Sequence, residues 1–174
     1  MVIRGTGIVT IGVLAGLLLS GCSEGEKKNY TVPEKLCGAA VAPDLTRALL
    51  PAGNKLRATQ QHVGGPAQKY YCDVLVDGNI ELVVKGVWRP SGITAKQAAD
   101  KELVFNSRSS DGGRFALSDD KAFTVVDCKN SEHKADRYSF EVVVAHPAGD
   151  VSKKMLRFLA AFSESYRKML PCQS

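Results

Sequence analysis

Tyr70-Tyr71-Cys72-Asp73-Val74-Leu75-Val76-Asp77-Gly78-Asn79-Ile80-Glu81-Leu82-Val83-Val84-Lys85-Gly86-Val87-Trp88 is the stretch that decides the fold. Two runs rich in β-branched and aromatic residues, 70–76 and 80–88, flank Asp77-Gly78-Asn79. Asp-Gly favours a hairpin because glycine reaches positive φ without steric penalty. The spacing therefore predicts an antiparallel pair. In the second run Ile80, Leu82, Val84 and Trp88 share one face at period two, with Gly86 between them.

Outward from this hairpin the pattern alternates between strand and helix. Downstream, Thr94-Ala95-Lys96-Gln97 fits a capping box. It opens a helix over 95–104 with Ala95, Ala98, Ala99 and Leu103 on one side. Residues 106–114, rich in Ser, Asp and Gly, read as a surface loop. Runs 123–128 and 138–146 form a second antiparallel pair. In the latter, Tyr138, Phe140, Val142 and Val144 alternate with Ser139 and Glu141. Asp150 or Ser152 caps a long helix to about 170. Met155, Phe158, Leu159, Phe162, Tyr166, Met169 and Leu170 recur on it at helical spacing. Pro171 ends it. Upstream, 56–63 reads as an edge strand, Gly64-Gly65-Pro66 as a loop, and Asp44 as the cap of a short helix over 45–50 stopped by Pro51. The expectation is an α+β domain. Its antiparallel sheet has about five strands, with a short N-terminal helix, a middle helix and a long C-terminal helix.

At the N-terminus Arg4 precedes an apolar run over 8–19. That run suits a signal-peptide core and is short of the roughly 20 residues a spanning helix needs. It closes in Leu19-Ser20-Gly21-Cys22, which resembles the lipobox of bacterial lipoproteins. The resemblance implies a signal peptide over 1–21 and lipid on Cys22. The implied location is the outer face of the cytoplasmic membrane. Two acyl chains anchor a protein stably without any transmembrane helix. Residues 22–33 then read as a lipidated polar tether, and 34–174 as one globular domain.

The cysteine count fits that address. Of five cysteines, lipidation takes Cys22 and leaves Cys37, Cys72, Cys128 and Cys172. Outside the reducing cytoplasm four cysteines read as two disulfides. Three connectivities are open. The favoured one, Cys37–Cys72 and Cys128–Cys172, pairs sequence neighbours and ties each terminal segment to a strand. The net charge of +5 is mildly basic. It suits an anionic envelope surface and is too weak to argue for nucleic-acid binding.

Beyond the lipobox, several features together resemble small actinobacterial lipoproteins of the DUF3558 type and, more remotely, the PsbP/Mog1 sandwich. They are Leu36-Cys37-Gly38, Leu50-Pro51-Ala52-Gly53, Cys72 with Val76-Asp77-Gly78, and the terminal Pro171-Cys172. The resemblance offers no catalytic residue to carry over, and the residues themselves show no metal or cofactor motif.

Candidate chemistry is sparse. Ser118-Asp119-Asp120-Lys121 and Ser131-Glu132-His133-Lys134 match Ser-x-x-Lys, but both fall in expected turns, and the partner motifs of penicillin-recognising enzymes are missing. His62, His133 and His146 are dispersed, and His133 reads as part of a solvated turn. Tyr70, Tyr71 and Trp88 are the candidate binding face, since aromatic side chains often carry recognition. Core packing is the competing reading for Trp88. The expected function is a non-catalytic, membrane-held module that binds another envelope protein or a small apolar ligand. The alternative is an envelope hydrolase acting on peptidoglycan or glycans through carboxylates far apart in sequence.

Overall fold

In this computed structural model the chain is described over residues 27–64 and 68–173. The signal segment, Cys22 and the loop glycine Gly65 lie outside the described residues. The elements in order are β1 (Lys35–Leu36), β2 (Ala39–Ala40), α1 (Pro43–Arg47), β3 (Leu56–Val63), β4 (Lys69–Val76), β5 (Asn79–Arg89), α2 (Ala95–Lys101), β6 (Arg108–Ser110), β7 (Phe115–Leu117), β8 (Lys121–Asn130), β9 (Ala135–Val144) and α3 (Ser152–Arg167). The fold is α+β. A seven-stranded sheet runs β3-β4-β5-β9-β8-β7-β6 with every pairing antiparallel, and β1 and β2 form a separate two-stranded ribbon. The expected five strands are all present. The other two strands of the main sheet, β6 and β7, have three residues each. Neither is long enough to show a period in sequence, so 106–114 reads as loop.

The 70–88 stretch is a hairpin. Asp77 (φ 49°) and Gly78 (φ 91°) both take positive φ, the geometry of a two-residue turn matched to strand twist. The Asp77 carboxylate accepts the Lys55 N–H at 2.8 Å, which draws the preceding loop onto the turn. One expected face is corrected. A bulge opposite Val74/Leu75 sets Ile80 against Leu75 and Leu82 against Val74, leaving Glu81 as the extra residue. Ile80 is thereby turned outward and exposed, while Leu82 and Val84 stay in the core.

Both sheet faces are covered. On one, α3 lays Met155, Phe158, Leu159 and Phe162 against Val74, Leu82, Val84, Phe140 and Val142. On the other, α2 and the turn after it form a smaller cluster of Ala95, Ala99, Val104, Ala116 and Phe123. That second layer explains why Ser139 and Glu141, the polar residues that alternate with the apolar ones, are buried on the fourth strand of the sheet.

Several local expectations shift. The Thr94–Gln97 capping box is present in both directions. However, α2 ends at Lys101, and Leu103, expected on the same side as Ala95, Ala98 and Ala99, is 76% exposed. Asp44 is not a cap: Pro43 stands at the first helical position, and Ala42 precedes it without a side-chain bond. The long helix ends at Arg167, so Met169 lies beyond it, half-exposed. The end of the expected tether is docked. Tyr30 and Val32 are buried, Lys28 bridges Gly53, and Arg47 donates to the carbonyls of Lys28 (3.2 Å) and Tyr30 (2.9 Å). A tyrosine and a valine inside an otherwise polar run supply enough apolar surface to hold it down.

Candidate functional site

The expected disulfides are both formed. Cys37 joins Cys72 with Cα atoms 5.9 Å apart, and Cys128 joins Cys172 at 4.9 Å. The first pins the β1–β2 ribbon to β4. The second pins the chain after α3 to β8, helped by the Gln173 N–H donating to Lys129 O at 2.7 Å. Together they frame a pocket of about 310 Å³ where β3, β5 and β9 meet the end of α3.

Aromatic rings build its walls. Trp88, Tyr138 and Tyr166 line it, with Met169, Leu170 and Pro171 along one side. Trp88 meets Tyr138 edge-on at 4.8 Å. Tyr138 and Tyr166 lie 6.4 Å apart and nearly parallel. Gly86 makes room: a Cβ there would stand 2.3 Å from the Tyr138 hydroxyl, so the ring lies across the glycine. The rim is polar, with Gln60, Gln68, His62 and His133. His133 stacks on Trp88 with ring centroids 4.6 Å apart.

The expected aromatic face is split by the strand. Tyr70 and Trp88 point inward and are 1% and 8% exposed, so neither is an open contact residue. Tyr71 points to the opposite face, half-exposed. Trp88 alone of the three lines the pocket. Tyr70 supports it from behind, its ring 4.6 Å from Tyr166 and its hydroxyl donating to Cys37 O at 3.2 Å. The pocket's tyrosines are held neutral. Burial pushes Tyr166 up to about 12, and burial raises Tyr70 and Tyr138 further still. Their hydroxyls are therefore hydrogen-bonding groups throughout the physiological range.

The sequence reading missed His62 and His133. The register puts His62 opposite Tyr70, and β8–β9 pairing returns the 131–134 turn to the Trp88 end of the sheet. Strand periodicity places His62 one step from Gln60 on the same side, a signal that was present. Nothing local marks His133. His146 lies elsewhere, 3.0 Å from Glu81. Ser118 is in a turn, its hydroxyl 3.3 Å from Asp120, and Ser131 opens another turn, its carbonyl accepting the Lys134 N–H at 3.2 Å.

A second polar cluster lies beneath α2. Glu102 accepts from Lys85 and, at 2.6 Å, from Arg89. Glu141 stands 3.6 Å from Lys85, and Arg89 also donates to Ser139 at 2.9 Å. Burial alone would raise Glu102, but the bonds from Lys85 and Arg89 outweigh it and hold the carboxyl below its ordinary value. Burial keeps Glu141 above its own. The two carboxylates converge on a lysine, an arrangement suited to fastening α2 to the sheet. Among the described residues no group of three or more His, Cys, Asp or Glu is placed to hold a metal ion, and no helix is long and apolar enough to cross a membrane. In comparisons with protein-family models, curated proteins and solved structures, no match is found.

Proposed function

We propose that this protein is an extracytoplasmic lipoprotein, anchored through Cys22 at the outer face of the cytoplasmic membrane. Its domain is a non-catalytic binding module whose Trp88 pocket takes a small, planar, largely apolar molecule. The observation that carries the ligand class is the wall of Trp88, Tyr138 and Tyr166 beneath a rim of imidazoles and amides. Aromatic walls with a few polar groups at the mouth suit a flat ring with one or two hydrogen-bonding substituents. The volume sits at the lower end of the range for small-molecule sites. The cysteine placement that resembles DUF3558-type lipoproteins supports the envelope address, as do the lipobox and the two disulfides. The hydrolase alternative needs carboxylates converging on a cleft. Glu102 and Glu141 converge instead on Lys85.

Trp88 is the only tryptophan, so its fluorescence reports the pocket directly. Full-length protein titrated with indole- and naphthol-type probes is expected to give saturable quenching, weakened by Tyr166→Ala and unaffected by Tyr71→Ala. The absence of saturable change with any probe, together with turnover of a peptidoglycan or ester substrate, would overturn the binding reading. The anchor is tested separately. Cys22→Ala is expected to move the protein from the membrane fraction to the medium or to stall it as precursor. Normal membrane retention of that variant with a cleaved signal sinks the anchor.

A further inference from the structure

Leu103 and Phe105 are the two most exposed large apolar side chains among the described residues, at 76% and 68%. The backbone enforces this. Beyond α2 the Val104 N–H donates to Ala99 O and the Leu103 N–H to Asp100 O, each at 3.0 Å. This is the reverse-turn pattern that usually places glycine in the left-handed position. Here Leu103 holds it, at φ 63°. Val104 is driven inward against Ala99, Ala116 and Phe123. Leu103 is turned out, and Lys96 donates to the Phe105 carbonyl at 3.3 Å. A strained leucine kept in solvent by its buried neighbour argues for a use outside the fold.

The topology says where this knuckle points. Arg108 begins β6 opposite Leu117, the last residue of β7, and Leu117 pairs with Ala122 near the start of β8. The start of β8 faces the end of β9, which faces the start of β5. The loop 103–107 therefore feeds the sheet from the end that carries the Asp77-Gly78 turn. The Lys28–Gly53 bridge sits at the same end, where the chain arrives from its N-terminal side. Charge of both signs surrounds it. Asp100 is held by Lys96 and Glu102 by Lys85 and Arg89, Lys101 and Arg108 are exposed beside the knuckle, and Asp150 lies close enough to Arg108 to feel its charge. The exposed apolar pair and the arrival of the N-terminal chain at this end are therefore what point to the membrane.

We propose that Leu103 and Phe105 form a second membrane contact. The two side chains insert into the interfacial layer of the bilayer, with Lys101 at the phospholipid headgroups, and so fix the orientation of the domain. Shallow apolar insertion beside a cation is the physics of peripheral membrane binding, and a second contact strengthens a lipid anchor by restricting its motion. The proposal rests on the reading that Cys22 holds the chain at the membrane. It places the opposite end of the sheet, with the 131–134 turn and the Trp88 pocket mouth, away from the lipid.

The test is a photo-activatable phenylalanine placed in the full-length chain at Phe105, and in a separate chain at Glu132 in the 131–134 turn. Both are irradiated in cell membranes. Several-fold more phospholipid adduct at 105 than at 132 is the expected result. Leu103→Ser added to the Phe105 probe chain is expected to lower that yield. Equal lipid yields at the two positions, or protein adducts alone at 105, overturn the knuckle even when the chain fractionates with membranes. A chain that does not fractionate with membranes and gives no lipid adduct overturns both the anchor and the knuckle, and fractionation alone tells which failed first.

Discussion

The imidazole of His133 lies over the indole of Trp88, centroids 4.6 Å apart and planes within 15° of parallel. The stack joins the β8–β9 turn to β5 and forms one jaw of the pocket. Aromatic pairs of this kind are worth about 0.5–1.5 kcal/mol beyond their buried area. His133→Ala is expected to lose about that much stability, to shift Trp88 emission to the red and to loosen the 131–134 turn. Urea denaturation and emission spectra check both. An unchanged emission maximum would show that the stack does not persist in solution.

Gly86 and Tyr138 form a matched pair across β5 and β9. A Cβ at Gly86 would meet the Tyr138 ring at 2.6–2.7 Å as well as its hydroxyl. Gly86→Ala must push that ring from its place, at a cost of about 1–3 kcal/mol for overpacking. In a Tyr138→Ala background the same change is expected to cost little, because the obstructing ring is gone. A double-mutant cycle by chemical denaturation reads the coupling, and additive costs would refute it.

The hairpin, the edge strand, the capping box, the long helix and both disulfides were legible because each leaves a local mark: Asp77-Gly78, a period of two, Thr94 with Gln97, a period near four, paired cysteines. Strands β6 and β7 were not, since three residues carry no period. The exposure of Ile80 and Leu103 was illegible for another reason. A bulge and a left-handed turn each re-aim a side chain without changing the hydrophobic pattern. For the site, Trp88 was found as a residue and its pocket was not. The pocket joins β3, β5, the 131–134 turn and the end of α3, pieces that only the register and the second disulfide bring together.

Glu102 gives the stability an acid limb. Its folded pKa lies below the ordinary value of 4.5. A depressed carboxylate contributes stability that is present above 4.5 and lost as pH falls through the folded value. Glu141 works the other way, since its raised value favours the protonated form in the fold. Glu102→Gln leaves Lys85 with only the longer contact to Glu141 and Arg89 with no carboxylate beyond its bond to Ser139, and is expected to cost about 1–3 kcal/mol near neutral pH, less than for a fully buried pair. Thermal melts taken from neutral pH down past 4.5 are expected to fall less steeply for the variant than for the native chain. Equal slopes would show that Glu102 is not the titrating group.

The two disulfides are expected to differ in what they hold. They span 35 and 44 residues, so chain entropy predicts a loss of about 4 kcal/mol for either pair replaced by serine. The local consequences separate them. Cys37 lies in the pocket wall, and Tyr70 donates to its carbonyl, so Cys37→Ser/Cys72→Ser frees the β1–β2 ribbon from the back of the aromatic cluster. Cys172 holds the chain after α3, where Asn130 also donates to Pro171 O at 2.8 Å. Cys128→Ser/Cys172→Ser therefore releases Met169, Leu170 and Pro171 from one side of the pocket while the aromatic wall stays seated. Hydrogen exchange is expected to quicken over 168–173 in this variant and over 35–41 in the other. Probe quenching of Trp88 should weaken in both, and more in the first, where the support behind Tyr166 goes. Equal quenching by native and doubly reduced protein would show that the staples stabilise the fold without shaping the site.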